Sequence, residues 1–151
     1  SAGPLVIIDG IQDPGNAGAI IRSTEAFRGA GVAFTEGCVR ISNGKLLRAA
    51  AGSLFRLPVL ENLPRAEIIG ELRAAKRAIY ALAAKATQCL QATPLTGCVA
   101  LVVGGEGAGV SQLLLEASQP LSISTQGVES LNAAIACSIA LFESARQRDL
   151  A

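Results

Sequence analysis

The chain has 151 residues, half of them apolar and 17% charged, with a formal net charge of +1. That length and balance give one domain with a sizeable core, and they exclude a disordered or fibrous chain. With 3% aromatics, no Trp and no His, the core must be built from Leu, Ile, Val and Ala. Aromatic stacking platforms, His-based nucleophile activation and His-containing zinc sites are correspondingly disfavoured.

In chain order, Leu5–Asp9 is an apolar run that ends at a loop and reads as a buried strand. Asn16 can cap a helix running to about Ala30, with Gly29 and Gly31 as stop signals. Val32–Thr35 reads as a second strand. Residues 36–56 carry the weakest pattern, with a helix near Lys45–Ala51. Leu57–Leu60 reads as a strand, Arg65–Ala75 as a charged surface helix and Ala78–Ala83 as a strand. A loop over Thr87–Thr96 precedes a fully apolar strand at Cys98–Val103 and a short helix at Ser111–Ala117. Pro120–Ile123 is the last expected strand, and Ser130–Arg148 the terminal helix. Strands alternating with helices imply an α/β domain with a parallel sheet.

In such sheets, ligands sit beyond the carboxyl ends of the strands. Three polar loops fall there: Asp9–Asn16, Gly104–Gly109 and Ser124–Asn132. One composite site at one sheet edge follows from that topology. The four glycines of Gly104-Gly105-Glu106-Gly107-Ala108-Gly109 permit close backbone approach to a ligand. The spacing fits neither a dinucleotide fingerprint nor a phosphate-binding loop. Glu106 would repel an anion and suits a cationic or neutral ligand. Asn16, Ser130 and Asn132 each also read simply as helix caps. Arg22 fits a solvated surface position or a phosphate contact, as do Lys45 and Arg48.

Cys38, Cys89, Cys98 and Cys137 lack metal-ligand spacing and read as reduced, mostly buried small hydrophobes. No secretory signal and no membrane-length apolar run is evident, so a cytoplasmic location is expected, without membrane or metal partners. The near-neutral charge is weak for a nucleic-acid binder. An RNA-binding role would therefore need a local basic patch or an additional N-terminal RNA-binding domain outside this chain.

These loops carry a family resemblance across essentially the whole chain. Asp13-Pro14-Gly15-Asn16-Ala17-Gly18-Ala19-Ile20-Ile21-Arg22-Ser23 resembles the first motif of the SpoU–TrmH group of RNA ribose methyltransferases, in the SPOUT superfamily. Residues 101–111, LVVGGEGAGVS, resemble the second motif. Glu129-Ser130-Leu131-Asn132-Ala133-Ala134, continuing to Glu143 and Arg146-Gln147-Arg148, resembles the third. The resemblance implies a parallel-sheet SPOUT fold over residues 4–150, with a deep C-terminal trefoil knot. It implies S-adenosyl-L-methionine as methyl donor and a ribose 2′-hydroxyl of rRNA or tRNA, rRNA by preference, as acceptor. A homodimer with the active site near the subunit interface is also implied.

Matched residue by residue, the resemblance gives catalytic roles to Asn16, Arg22, Glu106, Ser130 and Asn132. It gives donor-binding contacts to Gly104, Ile123 and Leu131. Ser124 stands where the family usually has Pro, in a loop one residue shorter than in many members, which affects loop stiffness and pocket shape. A non-catalytic knotted RNA-binding or assembly factor, and a related knotted base methyltransferase, are the alternative readings. The resemblance gives Arg22 the role of base. A guanidinium, however, is a donor without an acceptor site. Holding a phosphate and stabilising a developing alkoxide suits it better.

Overall fold

Six short strands, all paired in parallel, form a single sheet in the computed structural model, which describes residues 3–150. The elements run β1 (Leu5–Asp9), α1 (Pro14–Ala26), β2 (Gly31–Thr35), α2 (Gly44–Ala50) and β3 (Val59–Leu63). They continue α3 (Arg65–Ala74), β4 (Ala78–Leu82), β5 (Val99–Gly104), α4 (Gln112–Glu116), β6 (Gln119–Leu121) and α5 (Ala133–Leu150). The strand order is β3-β2-β1-β5-β4-β6. The chain therefore winds outward from β1 in one direction and then occupies the other side. The β1/β5 seam is the point where that direction reverses, the usual place for a ligand crevice in such sheets. Asp9 and Gly104 pair across this seam at the carboxyl ends of the two strands.

The central strands are continuous apolar runs because both sheet faces are covered. Val6, Ile8, Leu101 and Val103 face a core closed by α1, α2 and α5. Ile7, Ala100 and Val102 face a second core that includes Ile68, Ile69 and Leu72 of α3 and Leu114 of α4. Each fully buried Ile or Leu contributes about 2 kcal/mol of transfer free energy. Gly18 lets α1 and α2 pack backbone to backbone: a Cβ there would lie 2.6 Å from both Ala49 Cβ and the Leu46 carbonyl.

Several boundaries differ from the sequence expectation. Asp13, not Asn16, caps α1, its carboxylate accepting from the Asn16 N–H at 2.7 Å. Pro14 occupies the first turn, where a missing N–H costs nothing. The strand expected at Leu57–Leu60 runs over Val59–Leu63 instead. Pro58 has no N–H for the ladder and contributes only its carbonyl, accepting from the Val32 N–H at 2.9 Å. At the terminal helix, Asn132 rather than Ser130 is the cap, its Oδ1 accepting from the N–H groups of Ala134 and Ile135 at 2.9 and 3.2 Å. All four cysteines are free, but only Cys137 is buried. Cys38 and Cys89 are half-buried and Cys98 is exposed, which corrects the expectation of mostly buried thiols.

α5 is fastened at two places along its length. Ser144 Oγ donates to the Leu95 carbonyl at 3.0 Å. Gln147 accepts from the Leu95 N–H at 2.7 Å and donates to the Thr93 carbonyl at 3.0 Å. Arg148 donates to the Phe27 and Arg28 carbonyls, at 2.7 and 3.4 Å, where α1 ends. A cation there complements the carbonyl-rich end of the helix. Among the described residues, no helix is long and apolar enough to cross a membrane.

Candidate active site

The three polar loops converge on Asn132. Its Nδ2 donates one proton to Asn16 Oδ1 at 3.0 Å and the other to Glu106 Oε1 at 2.9 Å. Its Oδ1 caps α5. One half-buried amide thus ties the loop after β1, the loop after β5 and the start of α5 together, with every donor in use. Asn16 and Glu106 retain capacity. Among the described residues, the Asn16 Nδ2 protons and Glu106 Oε2 make no hydrogen bond. These are the groups of the cluster that remain available to a ligand.

Beside this cluster lies a cavity of about 820 Å³. Its walls come from residues 82–85, 103–110 and 129–133, with Leu115, Leu121, Ile123, Thr125 and Ala136. Leu82, Val103, Leu121, Ile123 and Leu131 make part of it apolar, while Glu106, Glu129, Ser130 and Asn132 make the rest polar. Gly104 explains how the walls close up: a Cβ there would overlap the backbone of Gly109 and Val110. The loop folds back on itself, with the Gly109 N–H donating to the Gly105 carbonyl at 2.9 Å. Positive φ at Gly107 (83°) and Gly109 (66°) makes that reversal possible without strain.

Of the residues singled out from sequence, Gly104, Glu106, Ile123, Ser130, Leu131 and Asn132 all line this cavity. Asn16 reaches it through Asn132. Arg22 does not join the cluster. It is exposed on α1, about 9 Å along the axis from Asn16, and among the described residues it makes no hydrogen bond or ion pair. The distal residues of the third motif also stand apart. Arg146 pairs with Glu143 at 2.8 and 2.9 Å, and Gln147 donates to Glu143 at 2.9 Å. Hydrogen bonds first from Arg146 and then from Gln147 hold the Glu143 carboxyl down to about 2. These bonds are internal to α5, outside the cavity lining, and only Gln147 carries the group on to the 93–95 segment. Sequence reasoning passed over Asp9, whose buried carboxylate sits under the loop after β5. The signal was an acidic residue closing a strand of otherwise buried apolar residues.

A fold with this sheet, this crevice and this three-loop cluster is that of the SpoU group. A model of the SpoU rRNA Methylase family matches residues 3–142, and the chain belongs to that family. Similar proteins include the 23S rRNA (guanosine(2553)-2′-O)-methyltransferase RlmP of Bacillus subtilis, 39% identical over 94% of this chain and 58% of that protein. The 23S rRNA (guanosine-2′-O-)-methyltransferase RlmB of Xylella fastidiosa is 38% identical over 97% of this chain and 59% of that protein. The crystal structure of the SpoU methyltransferase AviRb from Streptomyces viridochromogenes superposes with a TM-score of 0.93 at 28% identity, covering 98% of this chain and 60% of AviRb. AviRb has also been solved with its cofactor AdoMet, again with a TM-score of 0.93. The chain spans just under three fifths of the length of these relatives.

Proposed function

We propose that this chain is the catalytic domain of an S-adenosylmethionine-dependent methyltransferase acting on a ribose 2′-hydroxyl of ribosomal RNA. The observation that carries this reading is the Asn16–Asn132–Glu106 cluster on the rim of the cavity, within a family whose named relatives methylate guanosine riboses of 23S rRNA. The cavity suits the donor. Its apolar residues offer walls for a flat heteroaromatic ring, its backbone-lined glycine loop offers amides and carbonyls, and Glu106 and Glu129 suit a cationic centre. Gly104, Ile123 and Leu131 would hold it. The bound donor supplies an electrophilic methyl group on a sulfonium.

The rest of the work belongs to the chain. Asn132 fixes the two loops that face each other across the rim, so the reacting groups meet in one geometry. The free Asn16 amide donates to the acceptor ribose, and Glu106 orients both Asn132 and the incoming nucleotide. Ser130, on the cavity wall without a hydrogen bond among the described residues, is available to either substrate. Arg22 acts on the acceptor side, holding an RNA phosphate and stabilising the negative charge that builds on the 2′-oxygen as the hydroxyl proton passes to water.

The groove between α1 and α5 supports a homodimer. Ala19, Phe27, Ile135, Ile139 and Phe142 line it. Ile135 and Phe142 are each more than half exposed, and Phe142 meets Phe27 edge to face at 5.8 Å. A second copy packed there would lie beside α1, which carries Arg22, and would complete the acceptor side. Phe142→Glu should shift the chain to monomer in sedimentation, and an unchanged dimer would place the interface elsewhere. The fastening of α5 at residues 93–95 supports a trefoil knot with α5 threaded beneath that segment. The rRNA-methylating activity of the named relatives supports a cytoplasmic location.

The test is transfer of labelled methyl from S-adenosylmethionine to rRNA transcripts, followed by mass spectrometry of the nucleosides. A 2′-O-methylated nucleoside is expected. A methylated base would favour a base methyltransferase, and saturable RNA binding without transfer would favour an assembly factor.

A further inference from the structure

The buried carboxylate of Asp9 is 1% exposed, yet the chemistry described above does not use it. It sits at the end of β1, paired in register with Gly104, the first residue of the glycine loop. Two different structures hold it. Arg65, the first residue of α3, donates through Nε to Oδ1 at 2.8 Å. The backbone N–H of Ser111, where the glycine loop ends and α4 begins, donates to Oδ2 at 2.6 Å. The Thr35 hydroxyl lies 3.3 Å from Oδ1 and accepts from the Gly10 N–H at 3.0 Å.

A charge so well buried needs its partners, because an unpaired buried carboxylate is strongly unfavourable. Arg65, with only 28% of its side chain exposed, supplies the counter-charge. The second oxygen is thereby available to hold a backbone amide with a charge-assisted bond. That amide is the far end of the loop that walls the cavity. Its near end is fixed by the β1–β5 ladder and its turn is closed by the Gly109–Gly105 hydrogen bond, so the Ser111 contact is the tie that fixes its far end against β1.

We propose that Asp9 and Arg65 are a positioning pair for the donor pocket: the ion pair pins the glycine loop at Ser111 and so sets affinity for S-adenosylmethionine. This rests on the donor reading above. Asp9→Asn keeps the side chain's size but supplies one acceptor oxygen where two are used, and Arg65, being charged, takes it. The amide group then confronts the Ser111 N–H donor to donor. Arg65→Lys keeps the counter-charge and leaves the Ser111 contact intact.

The experiment combines amide exchange of the whole chain with calorimetric titration of S-adenosylmethionine. In the wild type, the Ser111 amide should exchange at least about a hundredfold more slowly than Gly107, as a pinned amide does. In Asp9→Asn that protection should be lost while β1 and β5 amides keep theirs, and donor Kd should rise at least about tenfold, as for loss of one charged hydrogen bond. Arg65→Lys should stay within about threefold of wild type on the same scale. Fast exchange at Ser111 in the wild type would overturn the proposal without any variant. So would an unchanged Kd in Asp9→Asn, or a weaker one accompanied by equal loss of protection throughout the sheet, which is merely structural damage. A wild type that binds no donor would remove the donor reading, and the inference with it. That result is distinct from a wild type that binds and a variant that binds equally well.

Discussion

The third motif contains two polar hubs, and they differ in what their hydrogen bonds leave over. At its start, Asn132 joins Asn16 and Glu106 on an open rim, and both partners keep unused hydrogen-bonding groups. Near its end, Glu143 accepts from Arg146 and Gln147, and Gln147 also binds the 93–95 segment. Glu143 itself is buried. The first hub is half-satisfied and accessible, as a site that must bind something has to be. The second is satisfied internally and holds a helix down. Polarity within a motif does not distinguish chemistry from scaffolding; residual hydrogen-bonding capacity and access do.

The sharpest way to break this contrast is at Arg22, an exposed cation with no partner among the described residues. Arg22→Ala should lower methyl transfer by at least about a thousandfold, roughly 4 kcal/mol of transition-state stabilisation. Donor affinity should stay within about twofold, read by calorimetry. Lost donor binding would contradict an acceptor-side role. Asn132→Ala comes next. It should cut kcat/KM about a hundredfold and also lower stability by about 1 kcal/mol through the lost cap, seen in a denaturant titration.

At the second hub the effects should fall on stability instead. Gln147→Ala leaves the Leu95 N–H without its partner and should cost about 2 kcal/mol in a urea melt. Donor Kd of the folded protein should not change. The acid limb sharpens the point. Arg146 and then Gln147 depress the Glu143 carboxyl to about 2 from an ordinary 4.5. A depressed carboxylate contributes stability that is fully present above pH 4.5 and is lost as pH falls toward 2. Glu143→Gln should flatten the pH dependence of unfolding across that window, and an unchanged acid limb would mean that the pair does not stabilise the folded chain. The smallest effect is expected at Ser111→Ala. Among the described residues the Ser111 hydroxyl makes no hydrogen bond, and the contact to Asp9 runs through the backbone. Stability should move by no more than about 0.5 kcal/mol.

Much of the layout was legible in the sequence because apolar runs such as Val6–Ile8 and Val99–Val103 have no other stable home than a sheet covered on both faces. The placement of three polar loops at one sheet edge followed from strand–helix alternation alone. The convergence of those loops on Asn132 did not, since a side chain's hydrogen-bond partners 116 residues away leave no mark on local pattern. The cap of α1 was misplaced, and the cap of α5 left open between Ser130 and Asn132, for the same kind of reason. Asp13, Asn16, Ser130 and Asn132 are all competent caps, and the choice depends on where the preceding strand delivers the chain. Asp9 escaped notice because a single carboxylate at a strand end looks solvent-facing until Arg65 and Ser111 are seen to close over it. The short β3 was shifted by Pro58, whose effect on the ladder depends on which edge of the sheet it meets.

The cavity between the glycine loop and the start of α5 is, in the proposed function, the methyl-donor pocket. Isothermal titration of the folded chain with S-adenosylmethionine, repeated with S-adenosylhomocysteine, tests this most directly. Saturable binding of both at about one site per chain is the predicted result. A folded chain that binds neither would contradict it, and would leave the Asn132 hub as the rim of a pocket for some other ligand.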